Sequence, residues 1–248
     1  MLVSKPAEIA GVDGCRKGCW IAVTADTQTF DKAQVKIFKS FAELISELAA
    51  RSIIGIDMPT GLAEHTDRGG REPDWAAREF LGRQRASVFP VPSRRAVYER
   101  DYAQVCAIAR ETSEPRRAVS KQLFGILPRI RQIDEILRQD PALRDRVFEV
   151  HPEVSFKVMN NDEPLPERKK VKGRIYQPGM HLRHNLLRKE GFPLSFLNQR
   201  PPHGAALDDF YDACACAWSA KRILYGKARV FPCHPPLDGE GLEQAIRA

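Results

Sequence analysis

The chain has 248 residues, 43% hydrophobic and 29% charged, with a net charge of +7. That length fits one large domain or two small ones, and the modest basic excess favours an anionic partner without naming one. No window approaches the roughly 20 apolar residues that a spanning helix needs, so no membrane association is expected. Residues 1–10 contain Lys5 and Glu8 and no long apolar run, which reads as the absence of a signal peptide. The six cysteines form no C-x-x-C pair, which argues against zinc. A cytoplasmic protein with reduced thiols is the default expectation.

Residues 8–14 read as a first strand that ends in Asp13. Gly14-Cys-Arg-Lys-Gly18 is a turn, and 18–25 a second strand. Residues 33–39 alternate apolar and polar, as in a half-buried third strand. The short connections predict an antiparallel meander. Ser40 with Glu43 forms a capping-box pattern ahead of a helix over 41–50. A fourth strand, 53–57, follows at once and ends in Asp57 before Pro59. Strand, helix and strand make a crossover, which sets the fourth strand parallel to the first. Asp13 and Asp57 would then meet at the carboxyl ends of parallel strands, where open α/β sheets place their ligands.

Residues 59–97 are rich in proline and glycine around a short helix, 74–81. Trp75, Phe80 and Phe89 favour an ordered segment. Helices are predicted over 98–110 and 116–139, the second kinked or divided at Pro128. Val147-Phe-Glu-Val-His151 reads as a fifth strand stopped by Pro152, with Glu149 and His151 on one face. Residues 160–177 read as a polar surface loop and 179–190 as a helix. Between 168 and 189 lie eight basic residues and no acid. Residues 207–225 form the last strong helix, in which Ala-Cys-Ala-Cys-Ala would let it pack close to a sheet. The tail beyond it looks irregular.

Asp209 and Asp212 are three apart on that helix and share a face. Two like charges 4 Å apart repel by about 4 kcal/mol at an effective dielectric of 20. A bound cation or a proton relieves this. All-oxygen sites suit Mg²⁺ or Mn²⁺. Asp13, Asp57, Asp209 and Asp212 are therefore the expected metal ligands and catalytic acids, with Glu149 and His151 as further candidates for ligation or proton transfer. Each acid also has a plainer reading. An aspartate after a strand is often a loop acid, Asp208 is most simply an N-cap, and Asp209 suits a helix dipole. Asp212, among small apolar residues, suits a solvated role least. Arg85, Ser87, Arg94, Lys172 and Arg183 are candidate substrate contacts. The alternative for the arginines is a salt-bridged surface, and for the 168–189 run a solvated face.

The element order, with strands arranged 3-2-1-4-5 and a helical insertion at 59–145 between strands 4 and 5, resembles the RNase H-like fold. Gly11-Val-Asp-Gly14, Gly55-Ile-Asp-Met-Pro-Thr-Gly-Leu62, Glu149-Val-His-Pro-Glu153 and Asp208-Asp-Phe-Tyr-Asp-Ala213 sharpen the likeness. With Arg78-Glu-Phe-Leu-Gly82 and Ser87-Val-Phe-Pro90, they look like the family known as domain of unknown function 429, described as predicted RNase H-like nucleases. Asp209-x-x-Asp212-Ala also looks like the last-helix acids of Holliday-junction resolvases. The resemblance implies one RNase H-like domain over 1–248, with a basic loop and helix at 160–190. It implies a divalent-metal-dependent nuclease that cleaves phosphodiesters of DNA or RNA by a two-metal mechanism. Ribonuclease H takes an acid from the helix after strand three, where this chain has Glu43 and Glu47 in no recognisable motif. The alternatives are a non-catalytic nucleic-acid-binding protein and a small-molecule phosphotransfer enzyme of the related actin-like ATPase core. The sequence leaves the oligomeric state open.

Overall fold

The computed structural model describes residues 8–248. Residues 1–7 lie outside the described residues, and with them most of the amino-terminal stretch read for a signal. The chain divides into two compact units. The first holds residues up to Asp57, Arg146–Ala228 and Arg247–Ala248. The second holds Met58–Asp145 and Arg229–Ile246. The sequence reads as one domain with an insertion at 59–145. The structure makes that insertion a compact unit, completed by a segment from the tail.

The first unit carries a five-stranded mixed sheet. Its strands are β1 (Glu8–Gly14), β2 (Trp20–Asp26), β3 (Gln34–Phe38), β4 (Ile53–Ile56) and β5 (Val147–Glu149). Their spatial order is β3-β2-β1-β4-β5. The meander is antiparallel, whereas β1 pairs in parallel with β4 and β4 with β5. This is the expected topology and it is consistent with the RNase H-like fold. The helix between β3 and β4 spans Phe41–Glu47. Ser40 caps it by accepting from the Glu43 N–H at 3.1 Å. The return bond of the cap goes one residue further out, from the Lys39 N–H to Glu43 Oε2 at 2.8 Å.

The last helix, Leu207–Leu224, lies against this sheet, with Ala213, Cys214, Ala215, Cys216, Ala217 and Ala220 all buried. Around it pack Ile9, Ile21, Val23, Phe156 and Phe192, which form one apolar core with its Phe210. Each large side chain so buried contributes roughly 1.5–3 kcal/mol. The fifth strand is shorter than its apolar run predicts. It stops at Glu149, and His151 occupies the N-cap position of a helix over Pro152–Met159. Proline at the first helical position needs no hydrogen-bonding N–H, so Pro152 starts a helix where it was read only as a stop.

Within 160–177 the structure adds a small hairpin, with Lys170–Val171 paired to Arg174–Ile175. Lys172 and Gly173 turn it with φ of +49° and +75°, the conformation that two-residue hairpin loops require.

The second unit is mainly helical, built on Glu72–Leu81, Arg94–Tyr98, Tyr102–Glu111 and Lys121–Gln139. The last of these contains Pro128 without being divided by it. Cys15 and Cys19 are joined as a disulfide. This departs from the reading of six reduced thiols. The turn between β1 and β2 returns the chain on itself, with the Cys15 N–H donating to the Cys19 carbonyl at 2.8 Å. No described helix is long and apolar enough to cross a membrane.

Candidate metal centre

The site begins with a repeated tripeptide. Gly11-Val-Asp13 ends β1 and Gly55-Ile-Asp57 ends β4, and the parallel register pairs Gly11 with Gly55 directly. Side chains two apart on a strand share a face, so each aspartate has a glycine behind it on the same side of the sheet. The last helix fills the space that the glycines leave. A Cβ on Gly11 would fall 1.9 Å from the Ala217 nitrogen and 2.1 Å from the Ala213 oxygen. A Cβ on Gly55 would fall 2.6 Å from the Cys216 oxygen. Helix backbone therefore touches strand backbone, and the residue preceding Ala213 is Asp212.

The result is a cluster of three carboxylates. One oxygen from each of Asp13, Asp57 and Asp212 lies within 4.8 Å of the other two. Asp13 and Asp212 are buried and Asp57 half-buried. Burial is the main force pushing all three towards the protonated form. It raises Asp13 well above its ordinary value, with added repulsion from Asp57 and Asp212. Asp57 is pushed up to about 8, by burial and then by Asp212. Asp212 is pushed up to about 6, because burial outweighs the lysine paired with it.

That lysine is Lys169, whose Nζ donates to Asp212 Oδ2. Asp212 Oδ1 is buried with no hydrogen-bond partner. An orphaned carboxylate oxygen inside an all-oxygen donor set is what a cation would complete, so these residues could hold a metal ion.

Asp209, expected as a fourth ligand, lies outside this cluster. Its Oδ2 accepts from the Ala206 N–H at 2.8 Å, closing the first turn of the helix. Asp208 is not the N-cap; it is buried and ion-paired with Lys170. Glu149 is buried at the end of β5, where its charge helps to raise Asp57. His151 does not share a strand face with Glu149, because it already belongs to the following helix start.

Among the candidate substrate contacts, Arg183 has another occupation. It is buried, it holds Glu153 through Nε and Nη2 at 3.2 and 2.6 Å, and its Nη1 donates to the Glu167 and Gly179 carbonyls. Burial opposes ionisation of Glu153, yet Arg183 and Lys169 bring that carboxyl below its usual value. Lys172 is exposed at the hairpin turn. Arg85, Ser87 and Arg94 belong to the second unit. There Arg85 is exposed, and the Ser87 hydroxyl donates to the Gln84 carbonyl at 2.9 Å. Arg94 is buried between Asp134 and Asp238, at 2.9 and 2.7 Å.

Sequence reasoning passed over Lys169, one of eight cations in an acid-free run. Its pairing with Asp212 spans 43 residues, and no local pattern marks it.

No curated protein matches the chain, and no solved structure does. One family model matches, described as a protein of unknown function (DUF429), and it covers residues 11–237. The match takes in both Gly-x-Asp tripeptides and the last helix, so the chain that builds this carboxylate cluster belongs to the DUF429 family.

Proposed function

We propose that the protein is a divalent-metal-dependent nuclease that hydrolyses phosphodiester bonds of nucleic acid in the cytoplasm. One observation carries this reading. Three carboxylates from two parallel strand ends and one helix converge within 4.8 Å, with a buried Asp212 oxygen left unbonded. Isolated buried carboxylates are costly, and a structural cluster would be closed by hydrogen bonds or cations. Asp13, Asp57 and Asp212 would hold the ion. A divalent ion bound there supplies a water acidified for attack and offsets charge on the phosphate. The chain's own part is to fix three oxygens on rigid elements, with the last helix locked against glycine. The exposed hairpin adds Lys172 and Arg174 in the same stretch as Lys169, cations suited to a phosphate backbone.

The test is cleavage of a panel of single- and double-stranded DNA and RNA by the purified protein with Mg²⁺ or Mn²⁺. Chelation should stop it, and Asp212→Asn should lower the rate by about 100-fold or more, the scale of losing one preorganised electrostatic group. Full activity in Asp212→Asn would overturn the assignment.

A further inference from the structure

The way Asp212 divides its two oxygens deepens this reading and rests on it. Oδ2 is taken by Lys169 and Oδ1 is free. A carboxylate that bridges two metal ions with one oxygen on each needs both oxygens, and Asp212 has one to give. We infer that the centre holds one divalent ion, with the Lys169 ammonium standing as the second cation.

The charge count agrees. Three carboxylates carry a formal charge of −3. One divalent ion and one ammonium cancel it, whereas two ions beside Lys169 would leave a net excess of +2 in a largely buried place. Beyond these three, Glu149 adds one buried negative charge felt by Asp57, and the remaining acids nearby are engaged. Asp209 closes its own helix turn, Asp208 pairs with Lys170, and Glu153 pairs with Arg183.

Lys169 is also held in place like a built part of the site. Its carbonyl accepts from the Tyr176 N–H at 2.9 Å, which closes the base of the hairpin. Just before it, the Arg168 carbonyl lies against Gly179, where a Cβ would come within 1.9 Å. Two residues back, the Glu167 carbonyl is held by the buried Arg183 at 3.2 Å. These ties on 167–169 set the backbone that aims the side chain at Asp212. A lysine is a compact point charge with three donors, so it can bond one oxygen of a carboxylate and leave the other to an ion.

Titration of the full chain with Mn²⁺, followed by calorimetry and by electron paramagnetic resonance of the bound ion, tests this without any substrate. Wild type and Lys169→Arg should each bind one ion. Lys169→Ala should bind its ion at least 10-fold more tightly or take up a second one, and a coupled two-ion spectrum would mark the latter. Circular dichroism and melting establish that each variant is folded. Two ions in wild type would overturn the inference while leaving the metal-dependent reading intact. So would one ion in Lys169→Ala with unchanged or weaker affinity, or binding in Lys169→Ala alone. No ion in any folded variant would overturn both.

Discussion

Three buried acids of the second unit are held in a way opposite to the carboxylate cluster of the first. In the second unit Asp238 accepts on both oxygens, from the Glu240 and Leu242 N–H groups on one and from the Leu62 N–H and Arg94 on the other. Asp134 bonds Arg94 through one oxygen and the Tyr98 hydroxyl through the other. Burial and that bond to Asp134 push the Tyr98 phenol up to about 12. Asp74 is closed in the same manner, by the Arg71 N–H and guanidinium and the Val91 N–H. In the first unit three acids share one lysine, and an oxygen of Asp212 is bonded to nothing. The buried acids in one place are closed on both oxygens and serve the fold. In the other they are left short of cations, which costs stability.

That contrast can be broken most forcefully at Asp134. Asp134→Ala removes one of the two carboxylates that hold the buried Arg94 guanidinium, and with it the partner of the Tyr98 hydroxyl, and should cost about 3–5 kcal/mol, as breaking a buried ion pair does. Denaturant unfolding would measure it, and Mn²⁺ binding in the folded protein should persist. A neutral outcome would mean that the partnered cluster is not what holds the second unit. Next in size comes Gly11→Ala. The added methyl meets helix backbone, which has no rotamer to yield, so the cost should reach about 3 kcal/mol, the upper end for overpacking. Metal affinity should fall with it, because Asp212 moves as the helix moves. Loss of stability with unchanged affinity would show that the helix spacing does not align the site.

The smallest effect has the opposite sign. Folded-state values of about 8 for Asp57 and about 6 for Asp212 lie above the ordinary carboxylate range. The metal-free folded protein therefore binds more protons than the unfolded chain. The stability contributed through these two groups is fully present below the unfolded value of about 4 and is lost as pH rises towards 8. Asp57→Asn should remove part of that loss, stabilising the metal-free protein at pH 8 by about 1–2 kcal/mol. That corresponds to roughly 2–8 °C in Tm for a chain of this size. Saturating Mn²⁺ should cancel the advantage, since the ion binds the ionised acids and is most strongly held where they are deprotonated. Melting scans at pH 5 and pH 8, with and without the ion, would read it. A lower Tm for Asp57→Asn in metal-free buffer would place Asp57 among the partnered acids.

Much of this was legible in the chain. The meander, the crossover and the two strand-end aspartates follow from alternation, a capping box and short connections, all local signals. Asp212 stood out because a charge among small apolar residues conflicts with its surroundings. The roles of Asp209 and Arg183 were not legible, since an acid in a first turn and an arginine in a basic run each have several uses. Only the folded partners, the Ala206 N–H and Glu153, decide between them. Lys169 was hidden for the same reason, and Pro152 because a proline that ends a strand can equally begin a helix.

The paired glycines have one more consequence. Gly11 and Gly55 act as a ruler: by omitting a methyl on each strand they fix the height of the helix above the sheet, and that height fixes where the third carboxylate arrives. The carboxylate cluster is thus encoded partly in residues that carry no charge. A chain with both aspartates but a larger residue two positions before each would keep the fold's outline and lose the site's alignment. Two Gly-x-Asp strand ends followed by a helix of small residues behind an aspartate are a more discriminating search pattern than the acids alone.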